Sequence, residues 1–372
     1  MGVTLLERDA IGGGATSVAA GMLAPVAEVE FGQAGRRLLE LGLRSAERWP
    51  AFATQLEEVA GHSVGLAPAG TLMVARDDDE ARELQRQLDF RQSLGLPAHR
   101  VRLSEARELE PALAPTIRLA LDVPSDRAVD PRLASTALRR ACEAAGVRLR
   151  EHTGPAALAA DHHRVTGVVL ADGESVSAQQ VVIATGAWSA QLPGLPPGTA
   201  VPVRPVKGQT LRLRDPAGPG LLSRSVRFDE GYLVPRGDGR YVLGGTVEER
   251  GFDQAPTAGA AYELLREAYE LVPGVSELEI EELCVGLRPG TPDNLPAIGH
   301  GAVPGLVWAT GHYRNGILLA PLTAELVAEL LAGGRPAEPL QTLVAACAPQ
   351  RFGEPAPGAR ETRLEPAAVS LR

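Results

Sequence analysis

The sequence predicts an α/β fold in which a parallel-sheet part is joined to a second, antiparallel sheet. Three stretches carry that expectation. Val3–Asp9 (VTLLERD) reads as a buried strand ending in an acid, and it runs into a glycine-rich loop of small residues, IGGGATSVAAGMLAP. Leu306–Pro321 (LVWATGHYRNGILLAP) reads as an apolar strand, a polar knot and then helical spacing. Val201–Thr246 is a series of short strands punctuated by Gly and Pro, which suits an antiparallel sheet distinct from the α/β part.

Taken in order, the elements follow from local pattern. Leu38 to Leu56 has helical spacing, with Leu38, Leu39, Leu41, Trp49 and Phe52 as core positions. Val64 to Ala75 reads as two short strands around a Pro-Ala-Gly turn, and Asp77 to Leu94 as a charged amphipathic helix with a solvated face. Ser104 to Leu109 is a short helix whose Ser-x-x-Arg start lacks the acid of a capping box. Ile117 to Val123 is a strand. Asp130 then caps a helix with Pro131 at its first position, running to about Ala145 and stopping at Gly146, and Val147 to Glu151 resumes as a strand. A hairpin with an Asp172-Gly173 turn leads to the buried strand Val181–Ile183. A helix over Ala260 to Leu271 is followed by a Gly- and Pro-rich loop that holds Arg288. Asn315 is the N-cap candidate of the last long helix, with a kink or late start at Pro321. The tail after Gly333 is rich in Pro, Ala, Gly and Arg and is expected to be partly disordered, beyond about Pro349.

Composition limits the function classes. The 372 residues are 44% hydrophobic and 22% charged, enough for two domains. With 37 basic and 46 acidic residues the net charge is −9, which argues against a nucleic-acid partner. No apolar run approaches the ~18 residues of a membrane span, so no membrane partner is expected. Cys142, Cys284 and Cys347 lie far apart without metal spacing, which suits packing, and His162-His163 suits a solvated turn. A cytoplasmic location and no bound metal are expected. The oligomeric state is undetermined, and a homo-oligomer stays open.

The chemistry concentrates at strand ends. In a dinucleotide-binding unit a first strand and a Gly-x-Gly-x-x-Gly turn hold the pyrophosphate, and an acid ending the second strand takes the ribose hydroxyls. Glu7 has the context of that acid, and the sequence begins at the second strand; Gly12-Gly13-Gly14 follows the acid rather than preceding it. Small residues after Ile183 (Ala184, Thr185, Gly186, Ala187) let backbone approach a ligand at a strand's carboxyl end.

The segments LLERDAIGGGATSVAAGMLAP, VVIATGAW, RPVKGQ, YLVPR, GLRPGTPDNLPAIG and GHYRNGILLAP, in that order over roughly Val3 to Leu331, together resemble the glycine oxidase family of thiamine biosynthesis, one of the D-amino-acid-oxidase-like flavoproteins. The resemblance implies FAD and a Rossmann-like FAD-binding domain, its first strand and glycine turn missing here, with an antiparallel-sheet substrate domain. The expected division is 1–60, 130–200 and 285–334 for the first domain, 61–129 and 201–284 for the second, and 335–372 for the tail. It also implies oxidative deamination of glycine or another small amino acid, with dioxygen reduced to hydrogen peroxide. Arg288 matches a carboxylate-binding arginine, Tyr232 a tyrosine that assists it, and Arg314 a second arginine near the carboxylate or gating it. Glu7, Thr16, Ser17, Gly21, Met22, Leu23, Thr185, Gly186, Trp188, Gly311, His312, Asn315, Gly316 and Ile317 match cofactor-contacting positions; Lys207 and Gln209 belong to a motif without an assigned role. Hydride transfer needs positioning more than a strong base, so no general base is expected, His312 included. Two other readings share these motifs: a D-amino-acid or sarcosine dehydrogenase of the same fold, and a truncated, non-catalytic remnant unable to hold FAD.

Overall fold

The computed structural model describes residues 2–161, 164–229, 231–336, 338 and 340–353; His162-His163 and the expected disorder past residue 353 lie outside them. Strand Thr4–Leu6 pairs in parallel with Arg148–Arg150. Strand Val181–Ile183 pairs in parallel with Leu306–Thr310, which takes Ala297–His300 antiparallel on its other side. Ala157–Ala160, Val165–Val169 and Ser175–Ser177 form a small antiparallel sheet through the expected Asp172-Gly173 hairpin.

The largest sheet has eight strands, in the order Glu279–Gly290, Arg204–Arg214, Arg240–Gly244, Tyr232–Pro235, Ser225–Arg227, Thr71–Ala75, Leu119–Val123 and His99–Val101. It is antiparallel except where Ser225–Arg227 lies parallel to Thr71–Ala75. Those two strands come from segments far apart in the chain, so no hairpin forces them to run in opposite directions. Both faces are covered, which explains the unbroken apolar run of Thr71–Ala75. Leu72 and Val74 point to a core with Leu211, Leu213, Leu233, Leu243 and the helix Ala258–Leu271. Met73 and Ala75 point the other way, to Leu84 and Leu88 of the helix Asp78–Ser93.

Helix Gly32–Ala60 is longer than its apolar pattern suggests, and it buries Leu39, Leu41 and Trp49 while Leu38 and Phe52 are half-buried. Helix Pro131–Ala144 starts as expected, the Asp130 carboxylate accepting from the Arg132 and Leu133 amides.

Four local expectations are corrected. Before Thr71, only Ala67 makes a bridge, to Ala128, in place of a first strand. The short helix begins at Leu103 rather than Ser104, so Glu105 falls at the third position and its carboxylate accepts from the Arg102 amide at 3.0 Å, the acid half of a capping box. Arg288 lies within strand Glu279–Gly290, opposite Val206, and not in a loop; this is an edge strand, where Pro289 leaves no central ladder broken. Asn315 is not a helix cap: the helix runs Ala320–Leu331, and Pro321 sits in its first turn, where a missing N–H costs nothing. Short of the expected disorder beyond about Pro349, helix Leu340–Ala345 delivers Leu343 and Cys347 to a core with Leu41, Ile298, Leu319, Leu322 and Leu326.

The cap of helix Asp78–Ser93 offers a direct stability test. The Asp77 carboxylate accepts from the Asp79 and Glu80 amides, both at 2.9 Å. Asp77→Ala is expected to cost about 1 kcal/mol in urea unfolding; an unchanged midpoint would show the cap to be idle.

Candidate active site

The long ladder between Arg204–Arg214 and Glu279–Gly290 sets the first part of the site. Arg288 pairs with Val206, and Gly208 pairs with Gly286 two residues along, so all four occupy one face. The Arg288 guanidinium lies flat across Gly208: a Cβ there would come within 2.2 Å of Nη1 and 2.5 Å of Nη2. Nη1 donates to the Thr246 carbonyl at 2.8 Å and to that of Lys207 at 3.4 Å. No acid pairs with Arg288 among the described residues. The Tyr232 hydroxyl converges on the same spot, 2.9 Å from where a Cβ on Gly245 would stand, with Arg288 Nη2 3.3 Å from that point. The Gly244–Gly245 peptide is cis.

The turns from Tyr313 to Leu319 form a second wall. The Tyr313 amide donates to the Pro289 carbonyl at 3.0 Å, which ties this segment to the residue after Arg288. Arg314, its side chain 30% exposed, reaches Glu28 Oε2 at 2.5 Å; Glu28 Oε1 takes Arg227 Nε at 2.5 Å. Arg227 is the cross-strand partner of Tyr232 and shares its face. Burial alone would raise the Glu28 pKa, but the Arg227 and Arg314 charges outweigh it and bring it down to about 2.

The turn that carries Glu28 is clamped from both sides. Arg91 Nε and Nη2 donate to the Val26 and Ala27 carbonyls at 2.9 and 2.6 Å. The Asp126 carboxylate accepts from the Val26 and Ala27 amides at 3.4 and 3.1 Å. Desolvation pushes Asp126 up to about 7 and Arg91 down to about 10. The sequence reading missed Glu28, Arg91, Asp126 and Arg227; a charged residue directly after the apolar GMLAPVA run was the available signal for Glu28.

The expected cofactor positions gather at strand ends. Glu7 follows strand Thr4–Leu6, and next to it Arg8 stacks on the Trp188 ring at 4.3 Å. Thr185, Gly186 and Trp188 follow strand Val181–Ile183. Thr310, at the end of its strand, binds the Ser189 hydroxyl at 2.7 Å, so that these two ends are fastened together. Gly311, Asn315 and Gly316 continue from there. Some side chains are spent elsewhere. The Ser17 hydroxyl donates back to the Gly13 and Gly14 carbonyls at 3.1 and 2.9 Å. Thr16 is half-buried in the short helix Ala15–Val18. Leu23 is buried among Trp49, Ala53 and Leu318, with Ile317 packed against the same cluster, while Met22 and Tyr232 both pack against a cluster of Ala20, Ala128, Val234 and Val242. Gly21 has φ +75, and a Cβ there would strike the Val129 carbonyl at 2.1 Å. His312 turns inward, Nε2 3.0 Å from Thr323 Oγ1.

The RPVKGQ motif acquires a structural role. On the opposite face from Gly208, Lys207 Nζ donates to Asp253 Oδ2 at 2.8 Å and to the Ala255 carbonyl at 2.6 Å, while Gln209 binds Glu248 and Thr257. Together they hold down the 246–257 segment, whose Phe252 packs on Trp188 at 5.6 Å.

Residues 1–330 match the family described as FAD dependent oxidoreductase (DAO). A glycine oxidase of Geobacillus kaustophilus is 38% identical over 333 residues, covering 88% of this chain and 86% of that protein. The bifunctional protein ThiO/ThiG of Synechocystis sp. is 37% identical over 353 residues, 94% of this chain and 50% of that longer protein. The crystal structure of the G. kaustophilus glycine oxidase superposes with a TM-score of 0.84 at 36% identity, over 94% of this chain and 92% of that one. The iminodiacetate oxidase of Chelativorans sp. superposes with a TM-score of 0.81 at 26% identity, over 92% of both chains. Among the described residues no helix is long and apolar enough to cross a membrane.

Burial pushes the His312 imidazole from 6.5 down to about 4. Between those values the folded chain binds fewer protons than the unfolded chain, so stability falls as pH drops through that window. His312→Gln, which can keep the Thr323 contact, is expected to flatten this dependence in urea unfolding at about pH 5 and pH 7. An unaltered slope would assign the acid sensitivity to other groups.

Proposed function

Because the chain belongs to the FAD dependent oxidoreductase (DAO) family, we propose that it oxidatively deaminates glycine or another small amino acid, with dioxygen as the electron acceptor. The observation that carries this reading is Arg288: a cation without an acid partner among the described residues, lying flat over a glycine, with a tyrosine hydroxyl beside it. A planar guanidinium presents parallel donors that match a carboxylate, and the Tyr232 hydroxyl supplies a third. A substrate held by its carboxylate there has its α-carbon fixed relative to the sheet face that carries Gly286 and the 15–18 helix.

The residues present fit FAD. Glu7 supplies a carboxylate at a strand end for the ribose hydroxyls, and Gly14 and Gly186 present bare backbone, with nothing within 4 Å of where a Cβ would stand. Thr185, Trp188, Gly311, Asn315, Gly316 and the backbone of 16–17, 21–23, 312 and 317 complete the proposed contact set. When bound, FAD accepts a hydride equivalent from the amine-bearing carbon and passes the electrons to dioxygen, giving hydrogen peroxide. The protein's share is orientation. No side chain here is placed as a base, since His312 faces Thr323, and the substrate reacts as its neutral amine after losing a proton to solvent. The relatives' names extend the proposal to thiamine biosynthesis, with 61–129 and 201–284 as the substrate domain and 1–60, 130–200 and 285–334 as the FAD-binding domain.

Anaerobic addition of glycine to the FAD-loaded protein is expected to bleach the flavin absorbance, and readmitted air to release peroxide. Bleaching without peroxide would favour a dehydrogenase, and no bleaching with any small amino acid would overturn the reading. Arg288→Ala is expected to lower kcat/KM by about 10²–10³-fold with flavin content kept, the cost of 2–5 kcal/mol for losing one partner of a charge pair. Gly208→Ala provides a finer probe. Its backbone is open to alanine and the clash falls on the guanidinium tip, so KM is expected to rise while thermal stability holds. An unchanged KM would detach Arg288 from substrate binding.

A further inference from the structure

We propose that Glu28 sets the charge selectivity of this site: it is a carboxylate built into the wall, occupying the place where a second carboxylate of a substrate would pair with Arg314. The inference rests on the reading of Arg288 and Tyr232 as the substrate-carboxylate site and adds a specificity-determining residue to it.

Glu28 joins the two walls that flank those residues. Through Oε1 it holds Arg227, the register partner of Tyr232 on the sheet. Through Oε2 it holds Arg314, one residue beyond Tyr313, whose amide is fastened to Pro289 next to Arg288. One carboxylate thus serves two guanidiniums at the edge of a site whose third guanidinium, Arg288, pairs with no acid among the described residues.

Glu28 is also held rigidly. The turn before it has its carbonyls gripped by Arg91 and its amides by Asp126, and the side chain is only 15% exposed. Such an anchored anion keeps Arg314 turned to the wall and opposes a second negative charge. A substrate with one carboxylate is accepted at Arg288. One with a further carboxylate must either displace Glu28 from Arg314 or lie against it, and like charges brought together in a partly desolvated site are strongly disfavoured.

The test uses the FAD-loaded protein and two unreactive probes, acetate and malonate, titrated by calorimetry or by perturbation of the flavin spectrum. Glu28→Gln keeps the shape and removes the charge. It is expected to tighten malonate by roughly tenfold or more relative to acetate, and to shift kcat/KM toward D-aspartate over glycine in the same sense. Arg227→Met leaves Glu28 to Arg314 alone and is expected to lower the malonate-to-acetate ratio. Glu28→Asp keeps the negative charge and is expected to retain the wild-type preference.

Equal changes for acetate and malonate in Glu28→Gln, or a raised malonate ratio in Arg227→Met, would overturn the proposal. Should Glu28→Gln lose its fold by thermal melting, the lowered malonate ratio expected of Arg227→Met and the retained one expected of Glu28→Asp decide alone, and a raised ratio in either would overturn the proposal. Probe binding needs no turnover, so a wild-type protein inert toward amino acids would sink the activity reading without touching the Glu28 result.

Discussion

The pairing of Gly208 with Gly286 is the constraint on which the site depends. Two glycines in register clear one face of the sheet where a pair of side chains would otherwise stand. Arg288 uses the space over Gly208, and the Ala15–Val18 helix settles on Gly286, where a Cβ would lie 3.1 Å from Val18. Because side chains alternate along a strand, Lys207 and Gln209 fall on the other face and there fix the 246–257 segment. The three residues Lys207–Gln209 therefore have two duties: glycine makes room on one side, and buried polar groups lock the other. Lys207 is 1% exposed, and its ammonium donates to Asp253 and to the Ala255 carbonyl, as a buried charge requires.

Much of the fold was legible because its signals are local. The Asp130-Pro131 start and the Asp172-Gly173 hairpin are written within a few residues each. The failures were also physical. Arg288 looked like a loop residue because Gly and Pro surround it, yet an edge strand tolerates both. Asn315 looked like a cap because it precedes an apolar run, but the position of Pro321 dictates where hydrogen bonding can begin. The composition of the tail gave no sign of its core contacts, which Leu340, Leu343, Val344 and Cys347 make on the helix Ala320–Leu331 and strand Ala297–His300.

For the site, the sequence could name Arg288, Tyr232 and Arg314 only through motif resemblance, since nothing in spacing alone brings residues 232, 288 and 314 together. What it hid was charge pairing across long separations. Glu28 meets Arg227 and Arg314, and Arg91 meets Val26 and Ala27, between segments that only the sheet topology places side by side. A carboxylate after an apolar run gives no sign of its partners until the fold is known.

The three cysteines gain a different meaning in this setting. Burial raises the pKa of Cys142 and Cys284, with Glu143 and Glu282 adding to the effect, and pushes the Cys347 thiol up to about 12. Oxidation of a cysteine proceeds through its thiolate, and none of the three yields one readily near neutral pH. An oxidase of the kind proposed works beside its own oxidant, and thiols held protonated are the form of sulfur least open to attack.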